Sequence, residues 1–113
     1  MKKLTAIAFA SGLTIASMQA MAADASAGKN LYEQSCASCH GMKAQGQGMF
    51  PKLAGQSAER ITTALTHYKN GDQAALKEME GNLGGSNYAI MAPNAAGLSE
   101  ADIENLGAYI SSL

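Results

Sequence analysis

The residues with the most chemistry in this chain lie together in one pentapeptide. Cys36, Cys39 and His40 form a C-x-x-C-H sequence, which is the pattern through which a c-type haem is attached. Two cysteines three positions apart on one turn can reach the two vinyl groups on one edge of the porphyrin. The histidine that follows them then lies beneath the iron. The pentapeptide therefore predicts one covalently bound haem c.

Three other uses of these residues compete with haem attachment. A thioredoxin-like redox pair needs a preceding strand and a βαβ context, which the 29–35 segment does not resemble. A zinc site needs a spaced histidine pair, whereas His40 adjoins a cysteine and His67 stands alone. A disulfide between Cys36 and Cys39 would leave His40 without a role. Haem attachment is the interpretation that uses all three residues of the motif.

The first 22 residues have the features of a secretory signal peptide. Lys2 and Lys3 give a positive start, an apolar run covers 4–16, and the small residues Ala20 and Ala22 precede the predicted cut before Ala23. The apolar run is shorter than the ~20 residues that a spanning helix needs. We expect cleavage of 1–22, a single domain over 23–113, and no stable membrane insertion.

The composition of the remaining 91 residues narrows the function (113 − 22 = 91). Six basic and nine acidic residues remain, a net charge of about −3, which argues against nucleic acid as a partner. The chain contains no valine, which makes an all-β fold unfavourable. Sixteen of the 39 apolar residues are alanine. A domain with so few large apolar side chains sits near the margin of independent stability, so we expect the cofactor to fill part of the core.

Capping residues and apolar spacing predict the helices. The first begins at Asp24 or Ser26 and runs toward Cys36; the second is capped by Ser57 and ends at 69–71. A weaker helix covers 73–80. The last helix is capped by Ser99, with Asp102 as the acid of a capping box. The two stretches between them, 41–56 and 81–97, are predicted to be irregular.

Four segments resemble one family, in the family's order. These are 27–41 around the C-x-x-C-H sequence, 50–56, 91–94 and 98–103. Together they resemble the small bacterial periplasmic class I cytochromes c, over essentially the whole of 23–113. The resemblance implies an all-α cytochrome c fold, in which the N- and C-terminal helices cross and further helices and loops surround one covalent haem. Gly28 and Tyr32 are then expected to meet Leu106 and Tyr109 at that crossing.

The resemblance also implies the iron ligands. Cys36 and Cys39 would form the haem thioethers, His40 would be the proximal ligand, and Met91, seven residues before Leu98, would be the distal one. Met79 is the second candidate, and ligation by His67 stays open as a less favoured alternative. The carbonyl of Pro51 is expected to accept a hydrogen bond from His40. The expected pocket walls are Leu53, Ile61, Leu65, Ile90 and Leu106, and the candidate propionate donors are Arg60, Lys52, Gln56, Tyr68 and Asn87.

Histidine and thioether ligation leaves no open position on the iron, so the resemblance implies electron transfer rather than catalysis. The predicted function is a monomeric periplasmic carrier of single electrons between respiratory membrane complexes and terminal oxidases or reductases. It would meet its partners transiently, through a small, mostly uncharged patch formed by Met42, Ala44, Met49, Ala92 and Pro93. The alternative is a haem enzyme or ligand sensor with an open sixth position on the iron.

Overall fold

A computed structural model describes residues 22–79, 83 and 87–113. Helices account for most of this part of the chain: α1 Ala25–Ser35, α2 Ala37–His40, α3 Ala58–Asn70, α4 Gln73–Glu78, α5 Tyr88–Ala96 and α6 Glu100–Ile110. Within the same residues, β-type pairing is limited to an isolated bridge between Gln47 and Phe50. The all-α prediction is confirmed.

The first and last helices cross at a glycine. A Cβ on Gly28 would lie 2.0 Å from the carbonyl oxygen of Asn105, so only glycine permits this approach. Next to it the rings of Tyr32 and Tyr109 pack with their centroids 5.6 Å apart. Asp24 caps α1 through its carboxylate, and its backbone N–H donates to Asn105 Oδ1 at 2.7 Å. The predicted crossing is therefore present, with the backbone of Asn105 as its closest contact.

The predicted caps set the limits of the other long helices. Ser57 caps α3, and Gly71 ends that helix in the left-handed conformation at φ 71°. Ser99 and Asp102 form the capping box of α6, each side chain accepting the other residue's backbone N–H at 3.0 Å. α6 also packs closely on α3, because a Cβ on Gly107 would lie 2.6 Å from Thr62 Cγ2. This second glycine contact was not predicted from the sequence.

The prediction that 81–97 is irregular is wrong for most of the described part of that stretch, because α5 occupies Tyr88–Ala96. Pro93 lies inside this helix, and proline normally breaks a helix by removing one hydrogen bond. Four alanines in nine residues favour the helix, and packing of Tyr88 against Tyr68 of α3 adds to it. Residues 80–82 and 84–86 lie outside the described part of the chain.

The 41–56 stretch has no helix, as predicted, and its backbone groups form hydrogen bonds with one another. The carbonyl of Ala44 accepts the N–H groups of Leu53 and Ala54 at 2.9 and 3.0 Å. Ala44 is fully buried and has a positive φ of 52°. It therefore cannot belong to the exposed patch that was predicted from the sequence, and that part of the prediction is wrong.

The predicted leader falls, apart from Ala22, on residues that are not described. In the described part of the chain no helix has the length and apolar character needed to cross a bilayer.

Candidate cofactor site

One cavity opens between the C-x-x-C-H segment and α5. The empty space within it, including its open mouth, is about 1140 Å³. Among the described residues, no Asp, Glu, Lys or Arg side chain lines it. The lining residues are Ser35, Cys36, Ser38, Cys39, His40, Phe50, Pro51, Leu53, Ile61, Ala64, Leu65, Tyr68, Leu83, Asn87, Ile90, Met91, Asn94, Leu98, Leu106 and Ile110.

The two cysteines lie at the wall of this cavity on consecutive turns. Cys36 ends α1 and precedes α2, and the N–H groups of Cys39 and His40 both donate to the Cys36 carbonyl, at 3.2 and 2.9 Å. Both thiols are free. Burial, and next the charge of Cys39, raise the pKa of Cys36 to about 11. A reactive redox pair needs a lowered thiol pKa, so this geometry does not favour a thioredoxin-like activity.

His40 is buried with a defined orientation. Only 8% of the residue is exposed, and its Nδ1 lies 2.9 Å from the carbonyl oxygen of Pro51. A carbonyl oxygen only accepts hydrogen bonds, so Nδ1 carries the hydrogen and Nε2 keeps its lone pair. The ring of Phe50 packs edge-on against the imidazole, with centroids 6.2 Å apart. This contact between His40 and Pro51 was expected, and it leaves one ring nitrogen able to bind a metal.

The four methionines of the described residues differ in their positions. Met91, on α5, lines the cavity, whereas Met42 and Met49 are 60% and 63% exposed. Met79 packs against the hydrophobic core and does not line the cavity. His67 is likewise absent from the lining, and its Nδ1 lies 4.0 Å from Asp72 Oδ2. Of the predicted iron ligands the structure therefore brings His40 and Met91 to one cavity.

All five residues expected as pocket walls line this cavity: Leu53, Ile61, Leu65, Ile90 and Leu106. Of the candidate propionate donors, only Tyr68 and Asn87 line it among the described residues. Arg60 instead donates through Nε to Gln56 Oε1 at 3.0 Å. Burial raises the pKa of Tyr68, so its hydroxyl is a neutral donor at physiological pH.

Two links around α5 were not predicted from the sequence. Asn87 donates from Nδ2 to the Met49 carbonyl at 2.7 Å, and Lys69 Nζ, on α3, donates to the Leu98 carbonyl that follows α5. Both donors belong to residue types that are usually solvated on a surface. Their acceptors are backbone carbonyls 38 and 29 residues away, and no local pattern in a sequence reports such pairs.

Comparison with known proteins identifies the family of this chain. The family model for cytochrome c matches residues 25–113. Cytochrome c-554(547) from Halothiobacillus neapolitanus is 68% identical over 92 residues, which cover 81% of this chain and 99% of that protein. Cytochrome c-554(548) from Halomonas halodenitrificans is 37% identical over 92 residues, covering 80% and 98%. Cytochrome c6 from Picosynechococcus sp. is 34% identical over 113 residues, covering 98% and 93%.

The chain belongs to the cytochrome c family. Members of this family are electron carriers that bind haem c covalently. The residues at the cavity fit that group: two free thiols lie on adjacent turns, one buried imidazole presents a free ring nitrogen, and the walls are apolar.

Proposed function

We propose that this protein is an exported one-electron carrier in which Cys36 and Cys39 form the haem thioethers. In this proposal His40 Nε2 is the proximal iron ligand and the Met91 thioether is the distal one, with Pro51, Leu53 and Ile90 in the haem pocket. The observation that carries it is that His40 and Met91 line one apolar cavity together with both cysteines. Haem c, when bound, supplies an iron that cycles between the ferrous and ferric states.

The chain's own residues set the redox properties. The Pro51 carbonyl accepts the Nδ1 hydrogen of His40, which fixes the imidazole and raises its basicity. The soft thioether of Met91 favours the ferrous state, and the apolar walls disfavour the extra charge of the ferric state. Because Met91 and the walls act in the same direction, we expect a positive reduction potential.

Ligation by both His40 and Met91 makes this protein a carrier and not an enzyme. An iron with both axial positions filled does not readily bind oxygen or peroxide. The competing function, a haem enzyme or ligand sensor, requires an open sixth position and therefore a Met91 side chain that does not coordinate. The place of Met91 in the cavity lining favours the carrier.

We further propose cleavage before Ala23 and action in the periplasm of a Gram-negative bacterium as a monomer. The leader features of 1–22 support this location, and the family match begins at residue 25. The partners would be a membrane oxidoreductase as donor and an oxidase or reductase as acceptor. The exposed side chains of Met42 and Met49 support a small, mostly uncharged contact patch, which suits weak and transient encounters.

Two measurements on the mature protein test this function. A haem stain on a denaturing gel should label the wild-type chain and the Met79→Ala control, and it should fail for the Cys36→Ala/Cys39→Ala double variant. The oxidised wild-type protein should be low-spin and show the weak thioether-to-ferric charge-transfer band at the red end of the spectrum. A high-spin spectrum without that band would support the open-site enzyme or sensor instead.

A further inference from the structure

Asn87 occupies the N-cap of α5 but does not use its side chain as a cap. Asparagine is a preferred N-cap because its side-chain oxygen accepts a backbone N–H of the first turn. At Asn87 no such side-chain bond forms. The side-chain amide instead donates to the Met49 carbonyl, 38 residues earlier in the chain, at 2.7 Å. The residue gives up a local bond and makes a long-range one.

This bond connects the helix that carries Met91 to the segment that orients His40. The backbone carbonyl of Asn87 accepts the N–H of Met91 at 3.1 Å. Met49 lies two residues before Pro51, whose carbonyl contacts His40 Nδ1. Asn87 thus bonds directly to the 41–56 segment with its side chain and to Met91 with its backbone.

The apolar contacts of α5 involve few side chains. Ala95 is the one buried residue of this helix, Tyr88 and Met91 pack partly buried against the core, and Tyr88 stacks on Tyr68 with ring centroids 5.9 Å apart. Pro93 removes one hydrogen bond within the helix. Because only one of its residues is fully buried, the polar contacts of α5 matter more for its local stability than those of a helix packed along a whole face.

We propose that Asn87 is a positioning residue: its amide holds α5 against the 41–56 segment and so keeps Met91 at the cavity. The effect on iron ligation rests on the proposed function, because it requires that Met91 is the distal ligand. The hold on α5 itself does not require this. Loss of the amide should increase the fraction of molecules in which α5 is detached.

The test compares Asn87→Ala and Asn87→Asp with the control Gln47→Ala. Aspartate has nearly the same shape and caps a helix as well as asparagine, but an ionised carboxylate cannot donate to the Met49 carbonyl. Gln47 makes a matched amide-to-carbonyl bond, from Nε2 to Ser38 at 3.1 Å, within the part of the fold that does not include α5.

Two measurements separate the effect of Asn87 on α5 from the assignment of Met91 as an iron ligand. Native-state hydrogen exchange should accelerate about two- to fivefold at the Met91 amide in both Asn87 variants, the size expected for one lost hydrogen bond that is exposed to solvent, and stay unchanged in α6 and in Gln47→Ala. Imidazole binding to the oxidised holoprotein should accelerate by the same factor. If Asn87→Asp exchanges like wild type while only Asn87→Ala is faster, the residue is merely a helix cap and the proposal is wrong.

The assignment of Met91 as an iron ligand can be contradicted independently of the role of Asn87. Faster exchange in both variants, with imidazole binding that is fast already in the wild type, would support the hold on α5 and contradict ligation by Met91. Unchanged exchange in both variants would overturn the positioning role whatever the imidazole result.

Discussion

The two sides of the cavity are built differently. On the His40 side, the 41–56 segment is tied together by backbone bonds: Gly46 N–H donates to the His40 carbonyl at 2.8 Å, and the Ala44 carbonyl accepts two N–H groups. The Tyr32 hydroxyl donates to the Gly41 carbonyl at 2.6 Å from inside the core. Several hydrogen bonds therefore fix the conformation of the segment that orients the imidazole of His40.

On the Met91 side, α5 has one buried residue and an internal proline. Polar links at its two ends, from Asn87 to Met49 and from Lys69 to Leu98, connect it to the rest of the fold. One proposed ligand is thus oriented by a segment with many backbone hydrogen bonds, and the other lies on a helix with one buried residue. Substitutions on the two sides should therefore differ in whether they affect global stability or local opening.

The largest effect is expected from Gly46→Ala on the His40 side. Gly46 has φ 74°, and a Cβ there would lie 2.6 Å from Lys52 N and 2.8 Å from the Phe50 carbonyl oxygen. Backbone atoms cannot move away as a flexible side chain can, so we expect a loss of about 3 kcal/mol in the free energy of unfolding. Guanidinium unfolding of the holoprotein measures it.

Gly97→Ala is the matched control beside α5. Gly97 has a negative φ of −86°, and a Cβ added to it would have no atom within 4 Å. Alanine should leave stability unchanged or raise it by about 0.5 kcal/mol, because it reduces the freedom of the unfolded chain. Equal losses for the two alanine variants would contradict the difference between the two sides.

A smaller loss in the free energy of unfolding, about 1.5 kcal/mol, is expected from Tyr32→Phe at pH 7. The substitution removes the buried hydrogen bond to the Gly41 carbonyl, which keeps only the N–H of Ala44 as a donor, at 3.1 Å. Tyr109→Phe, at the same helix crossing, is the control and should cost less. Thermal and denaturant unfolding at pH 7 compare the three proteins.

The difference in stability between wild type and Tyr32→Phe should shrink at alkaline pH. Burial, then the charges of Cys36 and Tyr109, raise the pKa of Tyr32 from 10.0 to about 12. Because the folded-state pKa is the higher one, the stabilisation is complete below about pH 10 and is lost as pH rises toward 12. At pH 11 the loss is on the order of 1 kcal/mol, and less where Cys36 is a thioether. A difference between wild type and Tyr32→Phe that stays constant from pH 9 to pH 11 would contradict this.

The smallest change in global stability is expected from Lys69→Met. Methionine keeps the aliphatic stem but removes the charged donor to the Leu98 carbonyl. This bond is only partly buried, so we expect a loss below about 1 kcal/mol. Hydrogen exchange in α5 should nevertheless accelerate several-fold, whereas Lys77→Met, at an exposed position of α4, should change neither quantity. A loss of stability spread evenly over α1, α5 and α6 would show that Lys69 is not a link to α5 in particular.

Local signals in the sequence predicted three of the long helices well. The Ser57 and Ser99 caps, the terminating Gly71 and the capping-box acid Asp102 each act within a few residues, so their effect can be deduced from the chain alone. The crossing at Gly28 was also expected, but through the family resemblance. Its closest contact, the Asn105 carbonyl, depends on the exact approach of two helices that are distant in the chain.

The Met91 side was predicted less well for a physical reason. Pro93 and nearby glycines indicate a loop, whereas four alanines favour a helix, and the balance between these preferences depends on packing against α3. The buried position of Ala44 was missed because its positive φ is imposed by the surrounding backbone bonds and not by its residue type. The links made by Asn87 and Lys69 join segments that only the tertiary fold brings together.

The reduction potential of Met91→Ala tests the proposed ligation most directly, with Met79→Ala as the control. If Met91 provides the distal sulfur, its removal should lower the potential by far more than the roughly 59 mV that corresponds to a tenfold change in a one-electron equilibrium. The reduction potential of Met79→Ala, at a position outside the cavity lining, should stay within about 20 mV of the wild-type value. An unchanged potential in Met91→Ala together with a large fall in Met79→Ala would contradict ligation by Met91.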